Sequence, residues 1–137
     1  MSYIAVFDTN ILISSLLSTT SYPFQCLALA KTGKIESVTC QEILDEFKEK
    51  LLLKFKFSEE MAQAAVDEVL SFSSLVSISG TLKTIPADPD DDMVVECAVI
   101  GNASHIVTGD KHLLTLKQYN NICIVKAAEF IQFFSSS

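Results

Sequence analysis

At 137 residues, 49% of them apolar, the chain has the length of one domain with one substantial core. A net charge of −7 argues against the broad basic footprint that grips nucleic acid through many phosphates, but leaves room for a nucleic-acid enzyme whose acids surround a metal. No apolar run is long enough to span a membrane and the opening residues carry no basic leader, so a single cytoplasmic domain over residues 1–137 is expected.

The first β-rich run, Tyr3–Phe7, leads into Asp8-Thr9-Asn10 and the apolar Ile11-Leu12-Ile13 of a following helix. A second run, Ile35–Thr39, precedes a helix whose apolar stripe is Ile43, Phe47 and Leu51. Ser58 is placed as the N-cap of the next helix, with Met61, Ala65 and Val69 as its stripe. Leu75–Ser79 is the third strand, and Thr81 to Asp92, with two prolines, is the one long loop. The helix Met93 to Ala103 is apolar nearly all round, which requires burial on more than one side, within the domain or at a subunit contact. Strands His105–Thr108 and Ile122–Lys126 follow, and Ser135–Ser137 reads as a frayed tail. Strands alternating with helices call for a parallel sheet covered on both faces. Cys26, Cys40, Cys97 and Cys123 lack metal-ligand spacing and lie in apolar stretches, so they are expected to be reduced core residues.

The acids carry the functional signal. Asp8, Glu46, the run Asp88 to Asp92 and Asp110 each sit at or beyond the carboxyl end of a strand, or in the helix after one. In an open parallel sheet, functional groups gather outside those ends, so distant acids can meet there. Each has a plain reading as well: Asp8 as an N-cap, Glu46 as part of a solvated acidic face with Glu42, and the run as acids favoured by a helix dipole. Converging carboxylates without basic partners imply a divalent cation, and hard oxygen donors favour Mg²⁺ or Mn²⁺ over zinc. Asn10 and Ser14 are placed to orient Asp8. Lys48, Lys50, Lys54 and Lys56 form either a solvated face or a track for a phosphate backbone. His105 is assigned to packing, and His112 to an exposed first helical turn near the cleft.

Val-Phe-Asp-Thr-Asn-Ile-Leu-Ile-Ser, the Glu-Ile-Leu-Asp-Glu helix, Asp-Pro-Asp-Asp-Asp before an apolar helix, and Val-Thr-Gly-Asp-Lys-His-Leu-Leu together resemble the four acidic motifs of a PIN-domain nuclease. The order and spacing resemble most closely the branch of toxin components of toxin–antitoxin pairs. The resemblance implies a three-layer α/β/α sandwich around a parallel five-stranded sheet. It implies a metal site of Asp8, Glu46, Asp91 and Asp110, supported by Asn10, Ser14 and Thr108, and cleavage of RNA dependent on Mg²⁺ or Mn²⁺. An antitoxin partner and a homodimer follow from the same likeness. Asp92 stands where many relatives have Asn, so Asp92 and Asp88 remain further candidate ligands. Helix phase favours Asp91, which shares a small apolar stripe with Val94, Ala98 and Gly101, while Asp92 and Glu96 are expected to face water. Asp88 precedes proline and is expected outside the helix, with Asp90 as N-cap. A haloacid-dehalogenase-like phosphatase needs an acid where Asn10 stands and another where Leu114 stands. A receiver domain needs an acid ending the third strand, and a non-catalytic module has no need to keep all four acids.

Overall fold

The structure, a computed structural model, describes residues 3–82 and 89–136. In chain order the elements are β1 (Ile4–Phe7), α1 (Thr9–Leu17), α2 (Tyr22–Lys31), β2 (Glu36–Cys40), α3 (Gln41–Leu53), α4 (Glu59–Ser71) and β3 (Ser73–Val76). Then come α5 (Pro89–Ile100), β4 (His105–Val107), α6 (Lys111–Leu116), β5 (Gln118–Tyr119), β6 (Ile122–Val125) and α7 (Ala127–Ser136). The strands lie in the order β3-β2-β1-β4-β6-β5, flanked by helices as the three-layer α/β/α reading requires. Five strands are parallel, in a register that aligns Val6 with both Val38 and Ile106. The sheet has six strands rather than five, because β5 adds an antiparallel edge to β6. Asn120, at φ 54°, makes the turn between them, a left-handed position that asparagine tolerates better than most residues.

Central strands buried on both faces read as apolar runs, and Ala5, Val6, Ile106 and Val107 are all fully buried. The stripe Ile43, Phe47 and Leu51 of α3 is likewise buried, each side chain adding on the order of 1.5–3 kcal/mol. Ser58 caps α4 by accepting from Met61 N at 3.1 Å, but the buried face is Ala62, Val66 and Val69. Met61 points outward at 56% exposure and Ala65 is half-buried, so of the expected stripe Val69 alone lies on the buried face. β3 begins at Ser73 rather than Leu75, because pairing with β2 outweighs the poor strand propensity of its serines; the Ser37 and Ser73 hydroxyls hydrogen-bond at 2.8 Å. α2, whose apolar periodicity is weak, packs against the strongly amphipathic α7. α7 runs through Ser135 and Ser136, where a frayed tail was expected. Cys26, Cys40 and Cys97 are buried, whereas Cys123 is exposed on its short strand, contrary to the expectation of a core position. No helix among the described residues is long and apolar enough to cross a membrane.

α5 meets its need for burial mostly within the chain. It packs against β1, β2 and β4, with Val94, Val95, Cys97 and Ala98 buried. Gly101 marks how close the approach is: a Cβ there would lie 2.5 Å from Val38 Cγ1. Only Val99 and Ile100, about two-fifths exposed, are left for a subunit contact. The helix already includes Pro89 and Asp90, so Asp90 is not its N-cap; proline is favoured in a first turn because its missing N–H would have no partner there.

The opposite face of α5 overturns a second expectation. Asp92 and Glu96 are 7% and 6% exposed, covered rather than solvated. Glu96 accepts hydrogen bonds from Ser79 N (2.6 Å), Ser79 Oγ (2.8 Å), Gly80 N (3.2 Å) and Leu82 N (3.4 Å). Burial alone would raise the Glu96 pKa, but these donors outweigh it and hold the carboxyl below its ordinary range. A depressed carboxylate pKa gives stability that is present above the unfolded value, about 4.3, and lost as pH falls through the folded one. Glu96→Gln is therefore expected to cost about 1.5–3 kcal/mol at pH 7, with the gap to the parent narrowing below about pH 4. Urea unfolding at pH 7 and pH 3.5 checks this; a gap that does not change with pH would show that the charge contributes nothing.

Candidate functional site

β1 and β4 are neighbours at the centre of the sheet, and the chain leaves them in opposite directions across it. Such a switch point opens a crevice beyond the carboxyl ends of the two strands. Asp8 follows the last residue of β1, and its N–H donates to Val107 O of β4 at 3.0 Å. Its side chain also caps α1. Oδ1 accepts from Thr9 N (2.8 Å), while Oδ2 accepts from Thr108 Oγ1 (2.7 Å) and Asn10 Nδ2 (3.2 Å). Asp110 mirrors it after β4, capping α6 through Oδ1 with His112 N (2.8 Å) and Leu113 N (3.3 Å). Two residues tie these acids together. Fully buried Thr108 donates to Asp8 and accepts from Asp110 N at 3.0 Å, and Asn10 Oδ1 accepts from Gly109 N at 3.1 Å.

Glu46 from α3 and Asp91 from α5 complete the convergence. Asp8, Thr9, Asn10, Glu46, Lys50, Asp91 and Asp110 line one cleft of about 350 Å³. The capping readings of Asp8 and Asp110 thus hold alongside their place in the cleft, since each carboxylate does both. Burial raises the pKa of Asp8 despite donors from Thr108 and Thr9; the charge of Asp110 adds to the rise and that of Lys50 opposes it. Four carboxylates against one lysine form an all-oxygen donor set that suits a hard divalent cation.

Other expected residues fall elsewhere. Ser14 is half-buried on α1 and does not line the cleft. Asp92, one turn before Glu96, is also absent from the lining, and Asp88 lies outside the described residues. Of the lysine cluster, Lys48 pairs with Glu59 and Gln63 on α4 and Lys54 lies over the Phe55 ring, so Lys50 alone reaches the acids. Its signal was available: it lies four residues after Glu46 and so shares its helix face. Thr9 also lines the cleft, and its buried Oγ1 has no hydrogen-bond partner among the described residues. His105 packs edge-on against Tyr3 and Phe130, and burial lowers its pKa, in keeping with a packing role. His112 is exposed at the rim, with Nδ1 3.9 Å from both Asp91 Oδ2 and Asp110 Oδ1. A larger apolar hollow of about 650 Å³ lies among α1, α2, α3 and α4, but its charged groups, Lys31 and Glu68, pair with each other. The acids converge in the smaller cleft rather than in this hollow.

Residues 5–112 match the family model described as the PIN domain. Covering most of the chain, that match places this protein in the PIN-domain family. Among solved structures it is similar to VapBC2 from Rickettsia felis bound to a DNA fragment from their promoter. The TM-score is 0.63 at 20% identity, over 88% of this chain and 96% of that one. It is also similar to the RRP44 PIN domain of T. brucei, with a TM-score of 0.57 at 12% identity over 98% of this chain and 82% of that one. At these identities the likeness establishes the fold. A search of curated proteins gave no significant match.

The raised pKa of Asp8 has a measurable consequence in metal-free protein. A carboxylate whose folded pKa lies above its unfolded value, about 3.9, contributes stability that is complete below that value and lost as pH rises through the folded one. In EDTA, the parent should lose stability between pH 4 and pH 7.5 relative to Asp8→Asn, which has no charge to bury. Parallel urea midpoints for the two proteins across that interval would show that the buried charge costs nothing.

Proposed function

We propose that this chain is an Mg²⁺- or Mn²⁺-dependent endoribonuclease, the toxin of a toxin–antitoxin pair. The observation that carries the reading is the meeting of Asp8, Glu46, Asp91 and Asp110, from four separate elements, at one cleft on the switch point of a PIN-domain sheet. In this reading those four acids hold the cation, which when bound supplies Lewis-acid charge to a scissile phosphate and activates water for in-line attack. Lys50, the one cation lining the cleft, takes a phosphate oxygen of the substrate strand. Asn10 and Thr108 keep Asp8 in a fixed rotamer, so its carboxylate needs no reorganisation when the cation enters. In-line attack by a cation-activated water requires no covalent intermediate on a side chain. Asn10 donates to Asp8 and accepts from Gly109, a positioning role unlike the acid a haloacid-dehalogenase-like phosphatase requires there.

RNA as substrate rests on the family resemblance. The antitoxin partner draws support from the VapBC2 match, whose complex assembles on promoter DNA. A net charge of −7 suits a chain that leaves DNA contact to another protein. Homodimerisation rests on Val99 and Ile100, which remain exposed at the end of α5. Light scattering that gives the mass of two chains, reduced to one by Ile100→Lys, tests it; a 15.0 kDa species at every concentration would retire it.

The decisive assay is cleavage of single-stranded and structured RNAs with Mg²⁺, Mn²⁺ or EDTA. Asp8→Asn and Asp91→Asn should each lose more than about 100-fold in rate, the upper end of what outer-shell changes cost at metal sites, whereas Asp92→Asn should stay within about threefold. Lys50→Ala should raise KM more than it lowers kcat and flatten the salt dependence. Cleavage that persists in EDTA would defeat the cation reading, and equal losses at Asp91 and Asp92 would give Asp92 a place in the site.

A further inference from the structure

We infer that His112 supplies a nitrogen ligand to the cation of this cleft, so that Asp91, Asp110 and His112 form a mixed oxygen and nitrogen site selective for Mn²⁺ over Mg²⁺. The inference rests on the cation-dependent reading above and goes beyond the four acids of that reading. One ligand atom from each of the three residues lies within 4.8 Å of the other two. His112 Nδ1 is equidistant, at 3.9 Å, from Asp91 Oδ2 and Asp110 Oδ1. Ligands held at about 2.1 Å from one octahedral ion lie about 3.0 Å apart when adjacent and about 4.2 Å apart when opposite. Both His112 separations fall between those values, and the Asp91 and Asp110 oxygens lie within 4.8 Å of each other, so small side-chain rotations would bring the three groups onto one ion.

The local structure fixes two of the three groups in advance. Asp91 projects from a helix packed on the sheet and is 4% exposed. Asp110 is held by the first turn of α6, where it accepts from the backbone N–H of His112 itself. The imidazole therefore starts from a backbone position locked to one of its co-ligands. Its side chain is 56% exposed, so turning it toward an ion displaces no packed neighbour. Thr9 lines the same cleft, and its buried Oγ1 has no hydrogen-bond partner among the described residues. Imidazole suits first-row transition ions, whereas Mg²⁺ holds to oxygen and parts with its water reluctantly. Selectivity should then reside in one residue, with the four acids supplying charge to either ion.

Calorimetric titration of metal-free protein with MnCl₂ and with MgCl₂, for the parent, His112→Ala and His112→Gln, separates the possibilities. The parent should bind Mn²⁺ at least about tenfold more tightly than Mg²⁺, and both variants should lose about tenfold for Mn²⁺ with less than about twofold change for Mg²⁺. Pulsed electron paramagnetic resonance on the Mn²⁺-loaded parent should show ¹⁴N modulation from the imidazole, absent in both variants. That spectrum is read on the unaltered protein, so it stands even where a variant folds poorly. Saturable binding of both ions without ¹⁴N modulation, or with equal losses for the two ions on substitution, would remove His112 and leave the four-acid reading in place. No saturable binding of either ion by the parent would remove both.

Discussion

A carboxylate buried at the carboxyl edge of a parallel sheet must find donors nearby, and Asp8 finds them in its own helix and at the end of the neighbouring strand β4. Thr9 N and Asn10 Nδ2 come from its own helix, Thr108 Oγ1 comes from the end of β4, and its backbone N–H reaches Val107 O. These bonds span about a hundred residues of sequence and close the central strand pair at the point where the chain reverses its direction across the sheet. Thr108 then passes the constraint onward, because the hydroxyl that donates to Asp8 accepts from Asp110 N. The position of the second acid is set by satisfying the first.

The same arrangement leaves an electrostatic debt that hydrogen bonds do not discharge. Donors to Asp8 offset part of the burial cost, yet its pKa still rises, and Asp110 pushes in the same direction. Glu46 and Asp91 bring two more negative charges to the cleft, against one lysine. Like charges at about 4 Å repel by roughly 4 kcal/mol at an effective dielectric of 20, far more than an exposed lysine returns through solvent. The cleft therefore carries an excess of negative charge of the kind that a positive ligand would offset.

Much of this was legible in the residues, for identifiable reasons. A strand followed at once by Asp marks the carboxyl edge of a parallel sheet, so Asp8 and Asp110 could be placed together without coordinates. The α3 stripe was clear because a long amphipathic helix repeats its signal. At the start of α4 the stripe was read one residue early, with methionine at 61 preferred to alanine at 62, while tight packing selects the smaller residue, which is fully buried. β5, two residues long, carries no periodicity, and only the Asn120-Asn121 turn could have announced it. Thr9 was passed over because a threonine in a first turn has commoner roles, and Lys50 was offered only as one of four lysines whose commoner role is a solvated face.

The Asp92 and Glu96 pair shows where reading by pattern stops. Two acids four residues apart on a helix look like a solvated face, since like charges at that spacing disfavour burial. What holds Glu96 is backbone: amide N–H groups of Ser79, Gly80 and Leu82 converge on it from a segment whose sequence advertises no such partner. α5 therefore divides its acids between two tasks. Asp91 faces the cleft on the same stripe that lets Gly101 approach Val38, and Glu96 on another face fastens the chain that runs between β3 and α5.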